Sequence, residues 1–216
     1  MIVVYIIVTV LAYLIGSISF SVIISKKMAG FDVREKGSGN AGSTNVLRTV
    51  GKKAGALTLL CDALKGVVAI LVAYVAGLIF NETIDNALLV QLAGIAVIVG
   101  HTFPVFFKFK GGKGVATALG VLLITNWNIG LICLVFALVL IVLTRMVSLG
   151  SIAAAILFPV LLIFMPPTQE SAYLVKEGSY IIYGIILAII VVYNHRTNVK
   201  RLLNGTENKL DFKKIK

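Results

Sequence analysis

The N-terminal stretch MIVVYIIVTVLAYLIGSISFSVIIS constrains this chain more than any other segment, because it runs for 25 residues without a charged side chain. A helix needs about 20 apolar residues to cross roughly 30 Å of hydrocarbon. A cleaved signal peptide would carry its positive charge in front of a shorter apolar region, whereas here Lys26 and Lys27 follow the run. The stretch therefore predicts a first transmembrane helix.

The rest of the chain has the same character, with 59% hydrophobic and 13% charged residues, whereas soluble proteins average about a quarter charged. We expect an all-α integral membrane protein, with residues 1–216 forming a single polytopic domain. The predicted helices lie near 1–25, 55–80, 87–107, 114–126, 128–144, 147–165 and 179–194, followed by a basic tail at 195–216. The fourth segment is short, and merging it with the fifth would give six helices instead of seven.

Loop charge decides between the two counts. With the N-terminus outside, seven helices place 18 of the 20 Lys and Arg residues in segments that face the cytoplasm, including the tail. The predicted outside loops hold Lys176 and the acidic residues Glu82, Asp85, Glu170 and Glu177. Positive residues concentrate on the cytoplasmic side of membrane proteins. The charges thus favour seven transmembrane helices, an outside N-terminus and a cytoplasmic C-terminus.

The net charge of +11 also bears on binding partners. In a membrane protein of this kind, it indicates orientation and attraction to anionic membrane lipids rather than binding to nucleic acid. The two cysteines, Cys61 and Cys133, lie in predicted helices without metal-ligand spacing. We expect no metal site and no cofactor.

Small and polar residues crowd the first cytoplasmic segment, GSGNAGSTNVLR at 37–48. It includes the G-x-G-x-x-G pattern of dinucleotide sites, which has that meaning only between the strand and helix of a βαβ unit. Here a transmembrane helix precedes it. Glycines can instead let backbone N–H groups converge on an anion, and polar side chains add donors for a phosphate. The candidate site residues of this loop are Gly37, Ser38, Gly39, Asn40, Gly42, Thr44, Asn45 and Arg48.

Two further clusters lie on the same predicted side. GGKG at 111–114 opens a predicted helix, whose N-terminus favours anions, but it is not a Walker A loop because Phe107 stands where the first glycine belongs. The other cluster is NHRTNVKR at 194–201. The candidates here are His101, Gly111, Gly112, Lys113, His195, Asn198 and Arg201. Either glycine loop alone could be a structural turn, but together with the third cluster they favour a phosphate site.

Other polar residues allow two interpretations each. Arg145, Ser148 and Ser151 stand about one helical turn apart and would share a helix face in a weaker fourth cluster. Asp62 and Lys65 favour an internal ion pair over a catalytic pair, because charges inside a bilayer need partners. His101 is either a helix-end hydrogen-bonding residue or a site residue.

Three segments carry a family resemblance: GSGNAGSTNVLRTVGKKAG, GHTFPVFFKFKGGKGVAT and HRTNVKRLLNGTE resemble the cytoplasmic motifs of the bacterial acyl-phosphate:glycerol-3-phosphate acyltransferases. The resemblance spans nearly the whole chain and includes the seven-helix layout. It implies transfer of a fatty acyl group from acyl phosphate to the 1-hydroxyl of glycerol 3-phosphate, giving lysophosphatidic acid and phosphate. This would be the first step of phospholipid synthesis, at the cytoplasmic face of a bacterial inner membrane. The resemblance gives active-site roles to Ser38, Thr44, Arg48, Lys113, His195 and Asn198.

Such a reaction needs no covalent nucleophile, because an acyl phosphate is already a mixed anhydride. The enzyme must align a hydroxyl with a carbonyl and stabilise phosphates and a developing oxyanion. His195 could take the hydroxyl proton, or a substrate phosphate could, leaving His195 as a hydrogen-bond donor. Cations near His195 should lower its pKa and weaken it as a base, which favours the donor role.

The alternative function is a transporter or channel for a phosphorylated anion, which would also need cations and glycines. Transport sites tend to lie near the bilayer midplane on broken helices. Here all the clusters are predicted at one face, which favours the enzyme.

Overall fold

A computed structural model describes residues 1–80, 84–165 and 177–211, and within these ranges the chain is helical, without β-strands. The α-helices are α1 Ile2–Gly16, α2 Phe20–Ala29, α3 Ser43–Thr49, α4 Lys52–Ile79, α5 Asn86–Thr102, α6 Val115–Thr125, α7 Trp127–Thr144, α8 Val147–Phe164, α9 Glu177–Asn194 and α10 Arg196–Leu203. Short 3-10 turns occupy Val33–Glu35 and Val105–Phe107. The predicted outside residues Glu82, Glu170 and Lys176 lie outside the described ranges.

Most of these helices, alone or in pairs, are long enough to cross a membrane. Five segments are long and apolar enough to cross a bilayer, namely α1 with α2, α4, α5, α7 and α8. Helices α9 and α10 pass the same test as a pair bent by 65°. Helix α6 has 11 residues, about 16 Å at 1.5 Å per residue, which is roughly half of the hydrocarbon thickness. The protein is therefore an all-α integral membrane protein in which one predicted helix is too short to span alone.

The first helix is interrupted where the sequence predicts continuity. α1 ends at Gly16, and α2 starts at Phe20 after a turn at Ser17. The Ser17 hydroxyl donates to the Tyr13 carbonyl at 2.9 Å, and the Ile18 carbonyl accepts from Lys65 Nζ at 2.8 Å. A serine that competes for backbone acceptors and a cation from another helix thus satisfy polar groups at the break.

Helix α5 forms the centre of the bundle, packed against α1 and α4. Close approach of backbones explains why glycines stand at this contact. A Cβ at Gly16 would lie 2.2 Å from the Val97 carbonyl oxygen, and one at Gly100 would lie 2.2 Å from that of Tyr13. Small residues allow such contacts between membrane helices. Helices α7, α8 and α9 pack in sequence beside α6 and complete the bundle.

The polar segments collect at one end of this bundle. Arg34 Nη1 donates to the Phe107 carbonyl at 2.8 Å, which joins the segment after α2 to the segment after α5. Arg48 Nη2 donates to the Asn208 carbonyl at 3.2 Å, and Leu210 N donates to the Arg145 carbonyl at 2.7 Å. Residues 30–51, 103–114, 145–146 and 195–211 therefore meet, and we call this the polar end. Tyr5 and Asp85 contact each other at the opposite end.

Candidate active site

Lys113 lies at the centre of the polar end. Its Nζ donates to the side-chain oxygen of Asn198, which lies in the first turn of α10. Burial lowers the pKa of Lys113 to about 8, with Arg201 and Arg48 lowering it further and Glu207 opposing them. The Lys113 carbonyl accepts from Asn194 Nδ2 at 3.4 Å. The structure thus brings the second and third predicted clusters into direct contact.

His195 occupies the bend between α9 and α10 and is buried. Its Nδ1 lies 2.8 Å from the Val191 carbonyl oxygen, and because a carbonyl can only accept, Nδ1 carries the proton. Burial, and then Lys113, lower the pKa of His195 to about 4. The ring is therefore neutral at pH 7 and Nε2 is a hydrogen-bond acceptor. The predicted decrease in the pKa of His195 is found. The predicted donor role is not, because the proton of the neutral ring is on Nδ1 and Nε2 has none to donate.

Glu207 belongs to the same cluster, although it was not among the residues predicted from sequence. Its carboxylate accepts from Asn198 Nδ2 at 2.9 Å and from Arg201 Nε at 3.0 Å. Burial would raise the pKa of Glu207, but the hydrogen bonds from Asn198 and Arg201 outweigh it and hold the pKa below its usual value. A sequence signal existed, because Glu207 is the one carboxylate between 195 and 210 in a basic tail.

Three cations therefore surround one carboxylate. Arg48 reaches the cluster from α3, Lys113 from the loop before α6, and Arg201 from α10. Glu207 raises the pKa of Lys113 and Arg48 lowers it, so both lie close enough to act on the ammonium. The cluster carries excess positive charge at pH 7, which suits binding of phosphate groups.

An apolar cavity of about 90 Å³ opens between α6, α7, α8 and α9. Val115, two residues after Lys113, lines it, and so does Val191, whose carbonyl holds the His195 ring. Leu122, Cys133 and Phe158 line it farther along the helices. The cationic cluster and the apolar cavity are thus adjacent parts of one site.

The first glycine loop is arranged differently from the expected anion nest. Ser38 N donates to Asn45 Oδ1 at 3.0 Å, Gly39 N to the Lys36 carbonyl at 3.1 Å, and Gly42 N to the Asn40 carbonyl at 3.0 Å. These amides serve acceptors within the loop and do not converge on an anion. The nest expectation was wrong for these groups, because local turns satisfy them.

Asn45 is the residue that holds this loop together. Its side-chain amide contacts the carbonyls of Val33, Lys36 and Asn40 at 2.9–3.1 Å, and the residue is 1% exposed. A Cβ at Gly37 would lie 2.2 Å from Asn45 Oδ1. Asn45 therefore shapes the loop rather than contacting a substrate.

The remaining candidates of this loop differ in exposure. Ser38 is exposed at the loop tip, and Asn40 and Thr44 are half-buried. Thr44 lies in the first turn of α3, four residues before Arg48, so these two share a helix face.

The second glycine loop also differs from the expectation of free backbone donors. Gly111 N donates to the Thr102 carbonyl, and Gly112 N donates to the His101 carbonyl, each at 3.1 Å. The amides of the two glycines thus satisfy the last two carbonyls of α5. Lys113 supplies the charge of this loop. His101 packs against them, buried, with Nδ1 3.5 Å from Asp62 Oδ1.

The weaker fourth cluster does not form one helix face. Arg145 ends α7 in the left-handed conformation at φ 61°, and α8 begins only at Val147. Ser148 is buried near Glu207, whose pKa it helps to lower. Ser151 donates to the Val147 carbonyl at 2.9 Å and lines the apolar cavity. The chain reverses at Arg145, so Arg145 is separated from Ser148 and Ser151, which stand about one turn apart in α8.

The chain is similar to known proteins over nearly its whole length. A family model described as glycerol-3-phosphate acyltransferase matches residues 6–205. A protein of that name from Clostridioides difficile is 48% identical over 210 residues, covering 97% of each chain, and one from Thermoanaerobacter sp. is 43% identical over 205 residues, covering 94% of each.

Two solved structures share the fold. They are crystal structures of PlsY, an integral membrane glycerol 3-phosphate acyltransferase, in a glycerol 3-phosphate form and a lysophosphatidic acid form. The first is 36% identical with a TM-score of 0.81 and covers 96% of each chain. The second is 34% identical with a TM-score of 0.80 and covers 97% of each chain.

Proposed function

Because this chain belongs to the glycerol-3-phosphate acyltransferase family and is therefore an enzyme that acylates glycerol 3-phosphate to lysophosphatidic acid, we propose that its acyl donor is an acyl phosphate. The observation that carries this proposal is the contact between a cationic cluster and an apolar cavity. Among the described residues, Arg48, Lys113 and Arg201 come together around the carboxylate of Glu207, so positive charge is in excess in this cluster. A donor with an anionic phosphate and an apolar chain matches both parts.

The acyl chain occupies the cavity between α6 and α9. Its lining is apolar except for Ser151, whose hydroxyl already donates to Val147. Burying an acyl chain against such a surface is favourable at about 25 cal/mol per Å². Because Val115 and Val191 stand beside Lys113 and His195, the carbonyl carbon of the donor comes to rest at the polar end.

Phosphate groups bind to the cations of the cluster. Lys113 supplies a point charge, and Arg48 and Arg201 supply planar forks suited to phosphate oxygens. Ser38, Thr44 and Asn198 are further donors of the proposed site, and Ser148 lies next to it. Without substrate, the Glu207 carboxylate neutralises part of the positive charge of the cluster. A bound phosphate neutralises the remainder.

His195 orients the nucleophile. With Nδ1–H donated to the Val191 carbonyl, Nε2 accepts the hydrogen bond of the 1-hydroxyl of glycerol 3-phosphate. The hydroxyl oxygen forms a bond to the carbonyl carbon, and the anhydride bond between that carbon and the phosphate oxygen breaks. The phosphate leaves with the electron pair, and the hydroxyl proton ends on phosphate. Nearby cations stabilise the charge that develops on the carbonyl oxygen.

A coenzyme A thioester is disfavoured as the donor. The His-x-x-x-x-Asp pattern of such acyltransferases is absent, since Phe106 and Lys200 stand five residues after the two histidines. A histidine and an aspartate do meet in space, at His101 and Asp62, but a Cβ at Gly112 would lie 2.1 Å from His101 Nε2. That ring nitrogen is covered by backbone and cannot reach a substrate hydroxyl.

We place the polar end in the cytoplasm of a bacterial inner membrane, with seven membrane segments and the N-terminus outside. The excess of Lys and Arg at this end supports the orientation, and it attracts anionic lipids. A transporter is the weaker alternative, because the polar cluster lies at one end of the bundle and adjoins an apolar cavity.

The decisive experiment supplies purified protein with glycerol 3-phosphate and an acyl phosphate, without coenzyme A and with a metal chelator. We expect lysophosphatidic acid and inorganic phosphate in equal amounts, and no more than background product from the matching acyl-coenzyme A. Lys113→Ala serves as the inactive control. Equal or faster transfer from acyl-coenzyme A would overturn the donor assignment.

A further inference from the structure

Three buried ionisable side chains lie together outside the proposed substrate contacts. Asp62 and Lys65 come from α4 and His101 from α5, and they are 1%, 4% and 7% exposed. Lys65 Nζ lies 3.0 Å from Asp62 Oδ1, and His101 Nδ1 lies 3.5 Å from the same oxygen. We call them the buried triad. Ionisable groups inside a membrane domain are costly and are retained for a purpose.

The buried triad connects four parts of the chain. Lys65 donates to the Ile18 carbonyl in the break between α1 and α2, at 2.8 Å. His101 Nε2 and Cε1 would lie 2.1 Å and 2.9 Å from a Cβ at Gly112, so the ring packs directly on the glycine that precedes Lys113. The same Cβ would lie 2.7 Å from the Ala41 carbonyl oxygen in the first glycine loop. The His101 ring therefore contacts Gly112 at the point where the second glycine loop touches the first.

Gly112 is held on both sides at this point. Its N–H donates to the His101 carbonyl at 3.1 Å, while the His101 ring supports its Cα. Lys113 follows at once and reaches Asn198 across the site. Movement of the ring would displace Gly112 and carry Lys113 with it, because one peptide unit separates them.

We propose that His101 is a positioning residue for Lys113, held in place by the Asp62–Lys65 ion pair, and that the buried triad thereby keeps the Lys113 ammonium inside the phosphate site. This inference rests on the proposed function only in assigning phosphate to Lys113. The role is steric and electrostatic: Asp62 fixes the ring, Lys65 neutralises Asp62, and the ring fixes the loop.

The test measures binding of glycerol 3-phosphate by calorimetry as a function of pH, in wild type and in His101→Ala. The groups facing Lys113 are Glu207, Arg201, Arg48 and Asn198, with His195 beside them. Because burial lowers the pKa of Lys113 to about 8, wild-type binding should weaken above about pH 8. Without the ring, Lys113 relaxes toward solvent and its pKa returns toward the ordinary value of 10.5.

We expect His101→Ala to bind glycerol 3-phosphate about tenfold more weakly at pH 7 and to lose binding only at a pH at least one unit higher. The matched control is Gln91→Ala, another buried polar residue of α5, which donates to Ser179 Oγ at 2.9 Å. It should leave both the affinity and the pH of the transition unchanged.

A second variant covers the case in which His101→Ala does not fold. Asp62→Asn with Lys65→Met keeps the triad neutral, avoids a lone buried charge, and loosens the ring without removing it. It should shift binding in the same direction by a smaller amount. Unchanged affinity, or weaker binding with an unshifted transition, would overturn the inference.

The binding measurement contains no acyl donor. If acyl phosphate fails as a donor but His101→Ala shifts the pH dependence of binding, the donor proposal is wrong and this inference stands. If acyl phosphate is a donor but the pH dependence does not shift, the donor proposal stands and this inference is wrong.

Discussion

Lys113 and Arg48 stand on different elements but contribute charge to the same cluster. Lys113 is half-buried and touches Asn198, whereas Arg48 contacts the tail at Asn208. Other residues hold the loops around these two side chains in place. Removing either side chain should therefore affect the acyl-transfer rate more than folding.

Lys113→Ala and Arg48→Ala should each lower the transfer rate by about 10²–10³, the usual cost of removing one preorganised charge. Lys113→Arg should also be poor, since a planar fork does not replace a point charge. Product formation by purified variants measures this. Lys200→Ala, which removes an exposed cation of α10, is the control and should stay near wild type. Either alanine variant retaining above about a third of the activity would mean that these cations only set topology.

His195 presents one nitrogen to the site and uses the other for the backbone. His195→Asn can keep a hydrogen bond to the Val191 carbonyl but has no atom at the position of Nε2. We expect His195→Asn and His195→Ala to lose activity equally, by about 10²–10⁴. Clearly higher activity in the asparagine variant would show that Nε2 is not needed.

The pH profile offers a second check on the same residue. The pKa of His195 is lowered to about 4, so Nε2 accepts a hydrogen bond at any pH above about 4 and loses this ability below it. An acidic limb seen near pH 6 should therefore belong to substrate phosphate. This acidic limb should still be present in the residual activity of His195→Asn. If the limb disappears in that variant, it belongs to the imidazole of His195.

At the scale of elements, the tail after α10 is part of the site rather than an appendage. Its bonds to Arg145, Arg48, Asn198 and Arg201 hold residues 207–210 across three other elements. Hydrogen bonds to charged groups contribute about 1.5–3 kcal/mol each. Glu207 makes two of them, and its loss would leave three cations facing each other.

Glu207→Gln should therefore lower the midpoint of thermal unfolding in detergent and expose the tail to trypsin. Because the pKa of Glu207 lies below its ordinary value, its contribution is present at neutral pH and is lost as the pH falls through the folded-state pKa, below about 4.5. Glu35→Gln removes an exposed carboxylate and should change neither quantity. An unchanged midpoint and cleavage pattern in Glu207→Gln would contradict this role.

At the scale of the whole molecule, the bundle separates its chemistry from its lipid-facing surface. Residues of α1, α7 and α8 expose Leu, Ile and Val side chains around the outside, whereas cations gather at the polar end. The proposed orientation follows from that separation and predicts which segments a reagent outside the cell can reach.

Single cysteines in a background with Cys61 and Cys133 replaced by alanine test the orientation. A cysteine within 81–86 should react with a membrane-impermeant maleimide in intact cells, whereas Lys27→Cys, Lys36→Cys and Lys200→Cys should react only after lysis. Labelling of the tail from outside would exclude the seven-segment arrangement.

The membrane class and the positions of most spanning segments could be predicted from sequence alone, because they depend on runs of apolar residues within one segment. The grouping of polar clusters at one end was also predictable, since loop charge alternates with each crossing. Even the break at Asn126 between α6 and α7 follows from local composition, because this residue caps α7 by accepting from Ile129 N at 3.2 Å.

Only the tertiary structure decided what the polar residues do. Glycine amides in both loops are used by nearby carbonyls, and Asn45 builds the first loop instead of binding a ligand. Glu207 joins the site because the tail folds back, and Asp62 meets His101 across 39 positions in the sequence. Each of these roles depends on partners supplied by distant segments, and residue type and spacing do not specify such partners.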